Sequence, residues 1–202
     1  MSTSRGPYAK SARVRAAAIE AAAELFGTTG YRGATFKDVA TKLGMTAAGL
    51  TYYFPDKDAL LAAVLQERDR PALDQDTAIP PSPSRADITD HVMRILDQNV
   101  AHPGLAELHC VLSAEATSAE HPAHEHFRER YRRARNLLTE AFETAQARGE
   151  IRSSVSPGTL ATLLLSVLDG VQLQWLLDPE GVDMQATVRA FIADLLAPSE
   201  SA

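Results

Sequence analysis

The chain has 202 residues, 45% of them hydrophobic, one cysteine and a formal charge of −6. That length accommodates one sizeable core, or a small domain joined to a larger one. The lone Cys110 excludes an intrachain disulfide and fits a reducing compartment.

The charge is unevenly spread. Residues 1–60 carry eight Lys/Arg against five Asp/Glu, a balance of +3, and the remainder carries twelve Arg against twenty-one Asp/Glu, a balance of −9. A basic end on an acidic body suggests an end that meets a polyanion. Ala, Leu, Glu and Arg dominate, and β-branched residues never alternate over a strand length, so the fold class expected is all-α. The N-terminal MSTSRGPYAK has no apolar core of a signal peptide. The longest apolar stretch, residues 161–177, is short for a membrane span and is interrupted by Asp169, Gln172 and Gln174. A cytoplasmic protein that does not enter a membrane is expected.

In chain order, residues 1–10 read as a disordered arm. Helical periodicity starts near Ser11 and runs to Thr28, with Val14, Ala18, Ala21 and Leu25 on one stripe and Ile19, Ala22 and Phe26 beside it. Gly30 is a stop. Thr35 with Asp38 three residues on is a capping box opening a second helix, whose Phe36, Val39, Ala40 and Leu43 face inward. Gly44 stands where a left-handed residue ends that helix. Thr46 caps a third helix, Pro55 stops it, and Asp56 caps a fourth that reaches about Arg68. Residues 71–85 form a Pro-rich loop. Later helices are expected after Ser84 or Arg85, at Pro103, at Pro122, at Pro157 and near Asp183, with a disordered tail at 198–202.

The stretch GMTAAGLTYYF, residues 44–54, carries the first chemistry. At 100° per residue, Leu50, Tyr53 and Phe54 fall within about 100° of arc. Ala47, Ala48, Thr51 and Tyr52 fall within the opposite arc of about 140°. The first set is large and suits packing; the second is small or hydroxylated and suits close approach. A helix, a three-residue turn and a second helix make a helix-turn-helix, whose second helix enters the major groove. Alanine and threonine methyls can then touch thymine methyls, and Thr51 can bond a base edge. Tyr52, Thr46, Thr35 and Lys37 can reach phosphate oxygens. Lys57 stands in the first turn of the fourth helix, where free N–H groups and the dipole favour a phosphate. The outer arc has no Arg, Asn or Gln, so specificity should be shared with Arg5, Lys10 and Arg13 and with DNA shape.

The segment TFKDVATKLGMTAAGLTYYFPDKDALL, residues 35–61, resembles the DNA-binding signature of the TetR family of transcriptional regulators, and the preceding AAAELFGTTGYRGAT is similar to that family too. The chain departs from the pattern at Thr51, where the family usually has an aromatic, so a phosphate contact usual there is lost or replaced. The resemblance implies a three-helix DNA-binding domain, residues 11–58, and a larger helical ligand-binding and dimerisation domain, residues 59–197. It also implies a homodimer on a double-stranded operator and a small-molecule effector that changes the spacing of the heads.

Residues 157–177 are apolar nearly all round, and such a helix must be covered on every side. With the stripe of the last helix they predict a four-helix dimer interface through Leu164, Leu168, Val171, Trp175, Val188, Phe191, Ile192, Leu195 and Leu196. Polar groups interrupt apolar faces at His91, His109, Cys110, Ser113, Tyr131, Gln172 and Trp175, with Met93 among them, as an effector cavity would require. The region from Leu108 to Leu196 is loosely similar to C-terminal domains of the BetI-like subgroup.

His121, His124 and His126 lack a Cys or spaced carboxylate to complete a metal site, so no metal or cofactor is expected. FRERYRRAR, residues 127–135, reads as a surface helix pairing with Glu125 and Glu129. No nucleophile elbow, HExxH, Walker loop or Rossmann glycine pattern is present, so an enzyme is not expected. The alternatives are an all-α protein-interaction dimer without DNA binding and, behind it, a small-molecule enzyme.

Overall fold

Side-chain caps decide where most of the helices begin. The computed structural model describes residues 7–69, 79–80, 82–151 and 154–195. Every regular element among them is an α-helix: α1 Pro7–Gly33, α2 Phe36–Lys42, α3 Ala47–Thr51, α4 Lys57–Asp69, α5 Arg85–Ala101, α6 Pro103–Glu115, α7 His124–Ala147, α8 Pro157–Leu177 and α9 Met184–Leu195. Capping boxes open α2 (Thr35 with Asp38) and α5 (Ser84 with Asp87). Thr46 caps α3, and Ser156 caps α8 ahead of Pro157. Asp56 accepts the Ala59 N–H at 2.7 Å before α4.

Several boundaries differ from the sequence expectation, among them the end of α1, which passes Thr28 and the bend at Gly30 to reach Gly33. α1 starts at Pro7 rather than Ser11, because proline fits a first helical position and the following Tyr-Ala-Lys-Ser continues the winding. α7 starts at His124 rather than Pro122. Successive turns over 116–123 hold the chain there, with the His121 N–H on Ser118 O and the His124 N–H on His121 O, and the buried His121 ring anchors them. The arm before Pro7, with Arg5, most of the 71–85 loop, Leu196 and the 198–202 tail lie outside the described residues.

The chain divides into two compact units. The first takes residues 1–70 and 107–124. In it α1 packs on α4 and α2, and α2 packs on α3. Ala18, Ala22, Phe26, Val39, Leu50, Phe54, Leu60, Leu61, Leu108 and Leu112 are buried. The motif-based division at 58/59 therefore falls inside the first unit, since α4 runs on against α1. Gly27 lies against Leu108, where a Cβ would stand 3.5 Å from its backbone.

The second unit takes residues 71–106 and 125–202, with α8 on α9 and α5 on α9. Its core joins Ile88, Val92 and Leu96 of α5, Leu138 and Phe142 of α7, Leu160, Leu164 and Val171 of α8, and Val188 and Ile192 of α9. By length and composition α8 could cross a membrane, but one of its stripes is buried in this core.

Candidate nucleic-acid interface

α2, the turn at Gly44 and α3 form the helix-turn-helix. Gly44 has φ 65°, the left-handed conformation that lets the chain leave α2 and re-enter a helix within three residues. The Thr46 hydroxyl accepts the Gly49 N–H at 3.1 Å. α3 is only five residues long, so its packing decides its orientation. Leu50 and Phe54 are buried and Tyr53 is half-buried. The Arg15 guanidinium lies 5.1 Å from the Phe54 ring centre.

Ala47, Ala48, Thr51 and Tyr52 form the exposed face of α3 and its C-cap, with Tyr52 82% exposed. The face is small except for one aromatic at its end. The Tyr52 and Tyr53 rings meet edge to face at 5.1 Å, so Tyr53 braces the exposed ring. The Thr51 hydroxyl donates to Ala47 O at 3.0 Å and keeps its acceptor lone pairs for an external donor. Thr35 and Lys37 at the start of α2 are exposed; the Thr35 hydroxyl donates to Asp38 at 2.6 Å and takes the Asp38 N–H at 3.1 Å. That pairing holds the Asp38 carboxyl below its ordinary value.

Lys57, the residue expected to meet a phosphate, also holds the protein's own backbone. Its ammonium donates to Tyr31 O at 2.7 Å and Ala34 O at 2.8 Å, and it lies 4.0 Å from the Tyr31 ring centre. One of its three N–H donors is left. The carbonyls it holds lie just after the bend at Gly30, φ 74°.

Four further residues meet at this bend: Tyr31, Asp58, Glu115 and His121. The Tyr31 hydroxyl donates to Asp58, and burial and that carboxylate push its pKa up. Glu115 accepts the Tyr31 N–H at 2.7 Å and the Arg32 N–H at 3.5 Å. The His121 ring stands edge-on to Tyr31 at 5.1 Å. Sequence reasoning missed this cluster, because 84 residues separate Tyr31 from Glu115 and no local pattern marks the pair.

The residues expected around an effector fall in both units. His109, Cys110 and Ser113 belong to the first, with His109 buried and Ser113 donating to Cys110 O at 3.2 Å. His91, Tyr131, Gln172 and Trp175 belong to the second. There the Tyr131 hydroxyl donates to Asp169 at 2.7 Å. The buried Gln172 accepts from Asn99 at 2.6 Å and donates to Ala106 O at 3.3 Å. His121, His124 and His126 do not converge on a point: His121 accepts the Ala123 N–H, His124 bonds Ala116 O, and the His126 ring stands edge-on to Phe127. The arginines at 128 and 132 pair with Glu125 and Glu129 along α7 as expected.

The residues expected at a dimer interface pack largely within the single chain. Leu164, Val171, Val188 and Ile192 are buried inside the single chain, between α8, α9 and their neighbours, and Leu168, Trp175, Phe191 and Leu195 pack half-buried on the same core. The stripe left uncovered on α8 is Leu163, Leu173 and Leu177, at 42%, 50% and 78% exposure, with Thr162, Ser166 and Gly170 among them. On α9 it is Ala186, Ala190 and Ala193.

A family model described as "Bacterial regulatory proteins, tetR family" matches residues 18–64, and one described as "BetI-type transcriptional repressor, C-terminal" matches residues 80–197. The chain belongs to the TetR family. The HTH-type transcriptional repressor SCO4008 of Streptomyces coelicolor is 30% identical over 163 residues, 81% of this chain and 78% of that protein. A TetR-family regulator from Agrobacterium tumefaciens shares the fold with a TM-score of 0.77 at 15% identity, covering 93% of this chain and all of its own. A regulator from Saccharomonospora viridis, solved in complex with choline, has a TM-score of 0.73 at 22% identity, covering 90% of this chain and 96% of its own. The TetR-family assignment agrees with the two-part, all-helical architecture described above.

Proposed function

We propose that this TetR-family protein is a ligand-responsive repressor that binds a palindromic DNA operator as a homodimer and releases it when a small molecule binds. The observation that carries the reading is the outward face of the α3 turn: Ala47, Ala48 and Thr51 leave room for a groove, and the exposed Tyr52 stands at its edge. In this reading Ala47, Ala48 and Thr51 face bases, and Thr35, Lys37, Thr46 and Tyr52 face phosphates. Lys57 gives its remaining N–H to a phosphate while holding the Gly30 bend.

Dimerisation is assigned to the uncovered stripes of α8 and α9. Their leucines supply apolar area, and Thr162, Ser166, Gly170 and the three alanines let partner helices approach closely. The effector is assigned to the second unit near His91, Tyr131, Gln172 and Trp175, with Asp169 added. The choline-bound regulator of the same fold supports a small-molecule class and not an identity. Membership of this regulator family supports a cytoplasmic, non-enzymatic reading.

The test is selection of binding sites from a random duplex pool with the purified chain. The expected result is an enriched palindrome with half-site centres one helical turn, about 34–36 Å, or a multiple of it apart, and binding that weakens steeply with salt. Absence of enrichment at low salt, before and after refolding free of ligand, would overturn the reading in favour of a protein-interaction dimer.

A further inference from the structure

The cluster at Gly30 does more than fill space: Glu115 and His121 of the segment 107–124 meet Tyr31 and Arg32 there, and Tyr31 and Ala34 in turn hold Lys57. The Glu115 carboxylate occupies the space beneath Gly30: a Cβ there would stand 2.5 Å from Glu115 Oε1. Gly30 is thus required twice, by its positive φ and by the carboxylate below it. The carboxylate takes the two N–H groups that follow, Tyr31 and Arg32. The carbonyls of the same turn, Tyr31 and Ala34, hold the Lys57 ammonium at the first residue of α4. Ala34 also leads directly into Thr35, the cap of α2. One carboxylate therefore sets the entry to both helices that flank α3.

We propose that Glu115 is a positioning residue for operator binding, clamping the Gly30 turn and through it Lys57 and the start of α2, with His121 as the neighbour able to loosen the clamp. The proposal rests on the DNA-binding reading above. Glu115 touches no DNA in it; it acts through the turn.

His121 gives the clamp a dependence on protons that a purely structural glutamate would lack. Its Nδ1 accepts the Ala123 N–H at 3.2 Å, which puts the neutral ring's proton on Nε2. Nε2 lies 3.6 Å from Glu115 Oε2, just beyond a hydrogen bond. The groups facing the ring are Glu115 from α6, Tyr31 and Arg32 from α1 and Asp58 from α4. Burial lowers the His121 pKa, with Glu115 opposing and Arg32 assisting, so the ring is neutral at pH 7. A second proton would break the Ala123 bond, since both nitrogens would then be donors. It would also place a cation beside Glu115 that competes with the Tyr31 N–H for the same oxygen. Acid should therefore loosen the turn.

The test uses the full chain and a fluorescent duplex recovered from the random-pool selection, with affinity read by anisotropy from pH 7.5 to 5.5. Glu115→Ala should bind about tenfold more weakly at pH 7.5, as loss of a charged acceptor for two N–H groups implies, with helical content by circular dichroism unchanged. The conservative Glu115→Gln should recover part of that loss. The ratio of wild-type to His121→Gln affinity should fall as pH is lowered, and should stay flat when both carry Glu115→Gln. Taking the ratio cancels the general gain of positive charge in acid. Wild-type affinity in folded Glu115→Ala, or a flat wild-type to His121→Gln ratio, would overturn the clamp while leaving the DNA-binding reading intact. If the wild-type chain enriches no duplex, the DNA-binding reading falls and the clamp falls with it.

Discussion

α3 and α8 pose opposite problems. α3 has five residues and two chemically distinct faces, large apolar on one and small or hydroxylated on the other. α8 has 21 residues and is apolar nearly all round. The short helix ended with Leu50 and Phe54 inside and Ala47, Ala48, Thr51 and Tyr52 outside, as its period requires. The long helix turned Leu160, Leu164 and Val171 to its own core and left Leu163, Leu173 and Leu177 uncovered, a choice that nothing in its pattern announces. A helix with contrasting faces carries its own orientation; one without contrast takes it from its neighbours.

The largest expected effect probes the buried side of each helix. Leu50→Ala and Leu164→Ala should each cost about 3 kcal/mol in denaturant unfolding, as deletion of a fully buried leucine does. An effect below 1 kcal/mol at either site would break the assignment of that stripe to the core. Next comes the uncovered side of α8. Leu173→Glu should weaken dimerisation about a hundredfold, as loss of a central apolar contact does, read by sedimentation velocity over a concentration series. The same substitution should leave the fold intact; an unchanged dimer would move the interface elsewhere.

Tyr52→Ala should weaken operator binding about tenfold, the scale of one lost phosphate contact, with the melting temperature unmoved because the ring is 82% exposed. Lys57→Ala, by contrast, should lower both affinity and melting temperature, since its ammonium holds two carbonyls. Thr46→Ala should cost about 1 kcal/mol of stability through the lost cap, measured by thermal melting.

The smallest effect is electrostatic. The Asp38 and Asp87 carboxyls are held below their ordinary 3.8 by bonds from Thr35 and Ser84. A carboxyl lowered in the folded state stabilises above its unfolded pKa, and that stability is lost as pH falls through the folded value. Melting temperature should thus decline as pH drops below about 4, and less steeply in Asp38→Asn.

Much of the first unit was legible because its signals are local. A capping box spans four residues, a left-handed glycine declares itself, and a helix-turn-helix fits within residues 35–54. Helix starts at Pro103 and Pro157 followed from single residues. The start of α7 did not, because His121 packs inward against Tyr31, a partner 90 positions away. Lys57 shows both sides: its place at the start of α4 was readable, but its engagement by Tyr31 O and Ala34 O depends on the bend at Gly30.

By itself the sequence determined the all-helical class, the helix-turn-helix and the outward face of α3, because those follow from period, caps and glycine placement over a few residues. Only the tertiary structure decided which stripe of α8 is core, that two carbonyls engage the Lys57 ammonium, and that Glu115 accepts the N–H groups after Gly30. Those outcomes depend on contacts between residues far apart in the chain, where no periodicity connects the partners.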